Sequence, residues 1–305
     1  MKRHHIMLVS IVATLLLIHA TTMHAGERKI EKKFSVTPGG TLSLESDLGT
    51  VAVSGTPANE VSVVALLRGA TRDVEEFELT ATQTANGVEV KGRARGGARW
   101  FFWNWNDLDI QFTVRVPREY NLNVNTAGGD ISVVNVKGRV SGETSGGDLR
   151  LSDIEGEITL NTSGGDIQTE KTVGNVRMET SGGSIRLAAV TGNVEVSTSG
   201  GNIHVNDVDG KVRAETSGGD VIVTLRETNK GVQAETSGGD IEIFVGKNIS
   251  ANIDAATSGG EVTCDLPITM SGKISESRIR GSVNGGGNTI YAHTSGGDVR
   301  IGSVR

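Results

Sequence analysis

The sequence concentrates its binding chemistry in one short segment that combines aromatic and basic side chains. Residues 100–105 read Trp-Phe-Phe-Trp-Asn-Trp and hold all three tryptophans of the chain. Such rings can stack on sugars, enter a membrane interface or hold a partner, and the basic residues upstream favour an anionic envelope component over a neutral glycan. The alternative is that the segment is structural. It would then cover, as a hydrophobic plug, the open N-terminal end of the core of a fold built from the repeats described below. The candidate partner-binding residues are Lys91, Arg93, Arg95, Arg99, Trp100, Phe101, Phe102, Trp103 and Trp105.

A column of acidic residues is the candidate for metal chemistry. The motif Thr-Ser/Ala-Gly-Gly-polar-aliphatic recurs along the chain, and its polar position holds carboxylates such as Asp130 and Asp148 but also Ser184 and Asn202. Carboxylates stacked at coil spacing can bind Ca²⁺. However, the Gly-Gly-x-Gly-x-Asp ligand spacing is absent, and hydrogen bonding in a turn explains Asp, Asn and Ser equally well. We therefore predict a structural column and no metal site.

The remaining reactive side chains suggest no catalytic arrangement. Cys264 is expected to be a buried apolar filler, and His204 a solvated surface residue. His293 has no second ligand at metal spacing. The sequence contains no Ser-His-Asp order, no nucleophile beside a base and no P-loop. It predicts no catalytic residue and no cofactor.

An internal repeat positions all of these residues. Aliphatic residues follow the motif threonine at fixed offsets, as Ile131 and Val133 follow Thr126, with polar residues between them. This alternation predicts β-strands with one buried face. The threonine is expected to point inward or to bond its stacked neighbours, rather than to form an exposed ice-binding ladder. The motif threonines are Thr126, Thr144, Thr162, Thr180, Thr198, Thr216, Thr236, Thr257 and Thr294, and the first five spacings are all 18 residues.

One coil of this length cannot bury enough apolar surface to fold alone, so coils must stack at about 4.8 Å to share a continuous core. The glycines of the motif and a second glycine column beginning at Gly138 are expected to serve two turns per coil. The fold class predicted is all-β, a single-chain parallel β-helix (β-solenoid) with coils of about 18 residues. The domains predicted are a signal peptide at 1–25, an irregular β-rich N-terminal cap or first coils at 26–125, and regular solenoid repeats at 126–305.

The N-terminus has the features of a secretory signal peptide. Lys2 and Arg3 precede an apolar run too short to span a bilayer, and small residues follow, with cleavage expected after Ala25 or, second, Ala20. Because Cys264 is the only cysteine, a lipoprotein is excluded. We expect an exported protein that is periplasmic, at the cell surface or secreted. A formal net charge of −6 argues against nucleic acid as a partner.

From about residue 30 to 305 the chain resembles the bacterial "putative adhesin" family of exported β-helix repeat proteins. The resemblance implies a β-helix fold and an envelope or cell-surface location, and it carries little information about activity. The residues that carry it are the Thr-Ser-Gly-Gly-Asp-Ile copies, the run from Thr37 to Leu42 leading into Asp47-Leu48-Gly49, and the run Gly-Ser-Val-Asn-Gly-Gly-Gly at 281–287.

Three functions remain open at this point. The first is a non-enzymatic, adhesin-like interaction module whose partner is an anionic lipid, a glycan or a protein of the envelope. The second is a self-assembling scaffold, because the chain ends at Arg305 directly after the last motif and an unpaired strand edge could accept another solenoid. The third is a polysaccharide lyase or hydrolase, which parallel β-helices often host, although the coils here are uniform and their turns short.

Overall fold

The chain folds into two long β-sheets that face each other across one core. The computed structural model describes residues 23–24, 26–95, 108–225, 228–270 and 275–304. Within these residues, sheet A and sheet B contain 14 strands each, and most neighbouring strands are parallel. The fold class predicted from the repeat is confirmed. Most of the predicted signal peptide and all of residues 96–107 lie outside the described residues.

The N-terminal elements include the one helix of the described residues. They are β1 (Met23–His24), β2 (Glu27–Ser35), β3 (Thr41–Ser46), β4 (Thr50–Thr56), β5 (Glu60–Arg68), α1 (Thr71–Glu76), β6 (Phe77–Thr84), β7 (Gly87–Ala94), β8 (Asp109–Pro117) and β9 (Asn121–Thr126).

The regular coils alternate a longer strand in sheet A with a shorter one in sheet B. Their strands are β10 (Ile131–Lys137), β11 (Val140–Thr144), β12 (Leu149–Glu155), β13 (Ile158–Thr162), β14 (Ile167–Val173), β15 (Val176–Thr180), β16 (Ile185–Thr191), β17 (Val194–Thr198), β18 (Ile203–Asp209) and β19 (Val212–Glu215). The C-terminal strands are β20 (Val221–Leu225), β21 (Val232–Glu235), β22 (Ile241–Val245), β23 (Ala251–Thr257), β24 (Val262–Cys264), β25 (Ile268–Met270), β26 (Arg278–Val283), β27 (Thr289–Thr294) and β28 (Val299–Ser303).

Each regular coil has a third corner that the glycine pattern does not reveal. In β10, Ile131, Val133 and Val136 are buried, and the register skips Asn135, whose φ is 59°. Asn135 bends the strand. The third buried residue, Val136, therefore follows Val133 by three residues, whereas Val133 follows Ile131 by two. Asn and Asp tolerate the left-handed region better than most residues, and three of the five corner residues are Asn or Asp. The corner residues with positive φ are Asn135, Asp153, Lys171, Ala189 and Asp207.

One coil replaces aliphatic core residues with a pair of threonines. Thr169 and Thr172 on β14 are 0% and 1% exposed, and their Oγ1 atoms lie 3.1 Å apart in a hydrogen bond. In the neighbouring coil, the residues in register with them are Leu187 and Val190. The pair therefore satisfies two hydroxyls inside a core that is otherwise apolar at these positions.

Substitution of this pair tests whether the hydroxyls depend on each other. We expect Thr169→Val alone to lower the free energy of unfolding by about 1–3 kcal/mol, because it leaves the buried Thr172 hydroxyl without its partner. The double variant Thr169→Val, Thr172→Val should be close to wild type or more stable, since both hydroxyls are removed together. Urea denaturation of the wild type, Thr169→Val, Thr172→Val and the double variant measures this. Additive losses in the double variant would contradict the coupling.

The C-terminal end of the solenoid departs from the order of the chain. In sheet A, β28 lies between β22 and β24, and in sheet B, β27 lies between β21 and β23. Val299, for example, pairs with Ile241 on one side and Val262 on the other. The coil formed by β27 and β28 is thus inserted between two coils that precede it in the sequence. The expectation that the last motif leaves an unpaired strand edge is therefore wrong, although association through the ends of the solenoid stays a hypothesis.

The N-terminal end repeats this arrangement. The coil formed by β3 and β4 lies between the coil of β7 and β8 and the coil of β9 and β10, so Leu42 pairs with both Val88 and Leu122. Beyond these coils, antiparallel strands continue the sheets: β5 and β2 follow β8, and β6 follows β7. The division of the chain at residue 125 stays a prediction, because both sheets run past it without a break.

Candidate functional site

The two polar columns of the motif hold the coils together. Thr162 is 7% exposed, and its Oγ1 donates to the backbone oxygen of Gly147 in the preceding coil at 3.1 Å. The Asp166 backbone N–H donates to the Asp148 carboxylate at 2.8 Å. The predicted inward threonines are confirmed, and their burial removes the ice-binding alternative. The buried threonines are Thr126, Thr144, Thr162, Thr180, Thr198, Thr216, Thr236, Thr257 and Thr294.

The polar column accepts hydrogen bonds from the next coil rather than from its own turn. Ser184 and Asn202 fit because each offers a side-chain oxygen: Ser184 accepts from the Asn202 N–H at 3.3 Å, and Asn202 accepts from the Asp220 N–H at 2.9 Å. Any short side chain with an acceptor therefore serves here, which explains the mixture of residue types. Among the described residues, no group of three or more His, Cys, Asp or Glu side chains is arranged to hold a metal ion.

Of the basic residues predicted to accompany the aromatic segment, the three that the structure describes, Lys91, Arg93 and Arg95, are engaged in ion pairs. Lys91 lies 2.8 Å from Glu89, and Arg95 pairs with Glu78. Arg93 contacts Asp47 at 2.8 Å. Its second partner is Glu45 at 2.6 Å. The hydrogen bonds from Glu45 and Asp47 raise the pKa of Arg93 above its ordinary value. These contacts reduce the positive charge available to an anionic ligand.

The aromatic segment itself lies outside the described residues, as do Arg99, Trp100, Phe101, Phe102, Trp103 and Trp105. Its attachment points are described: Ala94 ends β7 in sheet B, and Asp109 begins β8 in sheet A. In every regular coil the connection from sheet B to sheet A is the Thr-Ser-Gly-Gly turn. The chain therefore passes from sheet B to sheet A between these two points, and the role of the segment stays a prediction.

The structure reveals a different cluster of functional side chains on the outer face of sheet B near the C-terminal end. A groove of about 790 Å³ crosses strands β17, β19, β21, β27, β23 and β26. We call it the sheet-B groove. Its lining includes Ser197, Glu215, Glu235, Tyr291, His293 and Arg278.

The inserted strand β27 supplies the aromatic centre of the sheet-B groove. Tyr291 and His293 alternate with buried residues, so both project outward, and their rings stack with centroids 3.9 Å apart and planes 24° from parallel. His293 Nε2 lies 3.4 Å from Asp254 Oδ1 on β23. This contact and the stacking hold both rings in place beside the groove.

Asp254, on the neighbouring strand β23, lies in register with Tyr291 and is surrounded by basic side chains. Arg278 and Arg280 on β26 reach it at 3.1 and 2.9 Å. Partial burial acts to raise the pKa of Asp254, but hydrogen bonds from Arg280 and His293 and the charges of Arg280 and Arg278 outweigh it and lower that pKa. Asp254 is therefore a fixed anion at neutral pH, and it anchors residues from the two neighbouring strands β26 and β27.

The opposite side of the groove presents carboxylates. Glu235 on β21 is in register with His293, and the side-chain amide of Gln233 donates to it at 2.7 Å. Glu215 on β19 pairs with Arg213 at 2.5 Å. Each carboxylate keeps acceptor capacity beyond these contacts, because an ionised carboxylate has about four lone-pair sites. The groove thus offers stacked rings, hydroxyls and carboxylate acceptors, which suits a polar ligand with flat apolar faces.

Sequence reasoning missed this site because its members are brought together by the insertion of the last coil. His293 was judged by its spacing to other ligands along the chain, whereas Asp254 reaches it from 39 residues away. One signal was present: Tyr291 and His293 occupy alternate positions of an amphipathic strand, at outward sites where other coils carry charged or amide residues such as Arg213 and Gln233.

Of two other predicted residues, His204 behaves as expected, whereas Cys264 is only half-buried where a buried filler was expected. His204 is exposed on the outer face of sheet A. Cys264 is half-buried and packs against the core, and burial raises the pKa of its thiol, so the thiolate that would react is disfavoured. In the described part of the chain, no helix is long and apolar enough to cross a membrane.

Comparison with known proteins finds one family whose profile covers most of the chain. The family profile described as Toastrack DUF4097 matches residues 40–302. A crystal structure described as a "putative adhesin" from Parabacteroides distasonis has 11% sequence identity, covers 90% of this chain and 97% of its own, and gives a TM-score of 0.53.

A second structure, described as a "putative adhesin" from Parabacteroides merdae, has 11% identity, covers 91% of this chain and 96% of its own, and gives a TM-score of 0.51. At these identities the similarity shows the fold alone. No curated protein matches the chain.

Proposed function

The chain belongs to the Toastrack DUF4097 family, and we propose that it is a non-enzymatic interaction module of the cell envelope or surface that binds its partner in the sheet-B groove. The observation that carries the proposal is the fixed pair of Tyr291 and His293, with their rings 3.9 Å apart in a groove of about 790 Å³. A rigid aromatic pair contributes contact area at little cost in conformational entropy.

The predicted signal peptide supports the same proposal. The apolar run after Lys2 and Arg3 fits a signal peptide, and two solved structures of similar fold are described as "putative adhesins". We propose that the protein acts in the periplasm, at the surface or after secretion. The candidate partner is a component of the envelope. Fractionation of envelope material into lipid, glycan and protein shows which of the three classes the protein captures.

Binding without catalysis is part of the proposal. His293 contacts Asp254 and Tyr291, and Glu215 and Glu235 each accept a hydrogen bond from a neighbouring side chain, which favours a fixed, preorganised surface. Release of reducing or unsaturated ends from soluble polysaccharides by the purified protein would contradict this part.

A pull-down from envelope fractions tests the groove directly. We expect the double variant Tyr291→Ala, His293→Ala to lose most of the captured envelope material, by about tenfold or more, because it removes the stacked rings. The matched control is Phe244→Ala, His204→Ala, which removes one aromatic ring and one imidazole from the outer face of sheet A. The control should capture as much as the wild type, and circular dichroism should show intact β-structure in both.

The same pull-down also tests whether the predicted aromatic segment, residues 100–105, is the binding site instead of the groove. The triple variant Trp100→Ala, Trp103→Ala, Trp105→Ala should retain capture if the groove is the binding site. Loss of capture in the triple-tryptophan variant, with full capture by the groove variant, would overturn the groove proposal and move the site to residues 91–105.

A further inference from the structure

The shape of the sheet-B groove indicates an extended ligand. It crosses six adjacent strands, along a row in which Ser197, Glu215, Glu235, His293 and Ala256 are in register with one another. Arg278 continues this row on β26. At about 4.8 Å between strands, the row is roughly 24 Å long. A groove of this length runs parallel to the solenoid axis and fits a linear polymer rather than a single small molecule.

One wall of the groove repeats the same hydroxyl in four consecutive coils. The second residue of the motif is an exposed serine in every copy after the first, and four of these serines line the groove or its rim. Each hydroxyl both donates and accepts a hydrogen bond. A periodic row of such groups suits a polymer whose own repeat presents hydroxyls. The four serines, in their order along the solenoid, are Ser217, Ser237, Ser295 and Ser258.

The charge of the groove selects among polymers. The lining contains Glu215 and Glu235 as anions and Arg278 as its cation. Arg213 already pairs with Glu215, so an acidic polymer would meet the remaining negative charge of Glu235, and Arg278, the arginine of the lining, is held by Asp254. Hydroxyl groups, by contrast, donate readily to carboxylates in charge-assisted hydrogen bonds. The groove therefore disfavours uronic acids, teichoic acids and nucleic acids, and it favours an uncharged chain rich in hydroxyls.

The rings supply the remaining contact. Tyr291 is partly exposed, so one edge or face of the stacked pair is available to a ligand above the groove. Pyranose rings have apolar C–H faces that pack on aromatic rings, while their hydroxyls point sideways toward polar groups. The groove matches both the apolar faces and the hydroxyls of a sugar chain. Its aromatic rings lie at the centre, its carboxylates are on β19 and β21, and its serines follow the strand ends.

We propose that the sheet-B groove binds an uncharged polysaccharide chain lying along the solenoid axis, with Tyr291 as the stacking platform and Glu235 as a hydroxyl acceptor. This inference rests on the proposed function, since it assigns a ligand class to the same site. It also gives the inserted coil a role, because only the insertion of β27 places Tyr291 beside Glu235 and Asp254.

Affinity electrophoresis tests the ligand class. The full protein is run through native gels that contain one soluble polymer each: mixed-linkage β-glucan, xyloglucan, mannan or dextran as neutral chains, and polygalacturonate or alginate as acidic chains. We expect retardation by at least one neutral polymer and none by the acidic pair. Tyr291→Ala should weaken that retardation about tenfold, and Glu235→Ala severalfold, whereas Phe244→Ala should leave it unchanged.

Each outcome bears on the proposal. Retardation by the acidic polymers alone, or equal retardation of wild type and Tyr291→Ala, would overturn it. Failure of all four neutral polymers would also overturn it. If envelope capture still depends on Tyr291 and His293 in that case, the proposed function stands and only the ligand class is wrong. Glu235→Ala guards against a folding artefact, because Glu235 lies on the solvent side of β21 and its truncation leaves the core untouched.

Discussion

Gly165→Ala is expected to destabilise the solenoid strongly, whereas Gly164→Ala, one residue earlier in the same turn, is expected to be tolerated. A Cβ built on Gly165 would lie 1.9 Å from the backbone oxygen of Gly147 in the preceding coil. A Cβ on Gly164 has its nearest neighbour at 3.8 Å. Neither glycine has a φ in the left-handed region, so the pair isolates the steric contact from backbone strain.

The clash cannot be relieved locally, because the Cβ position is fixed by the backbone of residue 165 and the atom it meets is a backbone oxygen of the preceding coil. Separating the coils at this point would break the hydrogen bond from Thr162 to Gly147 and the one from the Asp166 N–H to Asp148, at 3.1 and 2.8 Å. We expect a loss of more than about 3 kcal/mol in the free energy of unfolding for Gly165→Ala, at the upper end of overpacking effects. Gly164→Ala should stay within about 1 kcal/mol of wild type.

Guanidinium denaturation followed by circular dichroism measures both variants. The same contact recurs along the stack, with a Cβ on Gly183 lying 2.0 Å from the oxygen of Gly165. Gly183→Ala should therefore behave like Gly165→Ala. Similar stabilities of Gly164→Ala and Gly165→Ala would contradict the stacking register described for these coils.

Ile301→Ala is expected to loosen two coils that are not adjacent to it in the sequence. Ile301 on β28 is fully buried and pairs with Ile243 on β22 and Cys264 on β24. Truncation of a buried isoleucine costs about 2–5 kcal/mol. Because each coil of a solenoid contacts only its neighbours, the loss should be concentrated in the coils on either side.

Hydrogen exchange resolves where the structure loosens. We expect faster exchange in both 241–245 and 262–264, while the amides of 131–191 remain protected. The matched control is Arg300→Gln on the same strand, whose exposed side chain pairs with Asp265 at 2.9 Å; because an exposed ion pair contributes little to stability, exchange in both segments should stay as in the wild type. If exchange rose in 262–264 but not in 241–245, the last coil would lie at the end of the stack, and the inserted topology would be wrong.

The insertion at both ends has a consequence for folding. The coil of β27 and β28 can complete its pairing only after β23 and β24 have been synthesised, and it must then enter between them and β21 and β22. Pairings of this kind are distant in sequence: Asn288 and Asn229, whose hydrogen bond joins the two parts, are 59 residues apart. Such contacts form late, since loop closure precedes any gain from pairing.

The sequence by itself determined the architecture of the regular coils. The spacing of the motif threonines, the alternation of aliphatic and polar residues and the paired glycines each reflect a local constraint, namely one buried face per strand and one close approach per turn. Stacked identical coils repeat that constraint at every level, so a local pattern specifies the global fold. The buried Thr162 and the exposed His204 were therefore predictable from their columns.

Only the tertiary structure decided the corner at Asn135, the pairing of Arg93 and the composition of the groove. A single residue with positive φ leaves no periodic signal when Asn, Asp, Lys and Ala all fill it. The charge of Arg93 is taken up by Glu45 and Asp47. These two residues belong to the coil of β3 and β4, which lies next to β7 in the stack.

Tyr291, His293 and Asp254 meet because a coil enters the stack out of sequence order. Hydrogen bonding between β-strands is indifferent to the order of the chain, so the repeat specifies what each coil looks like but not which coil is its neighbour. The candidate site arises from that undetermined choice of neighbour, and its chemistry was therefore visible only in the folded molecule.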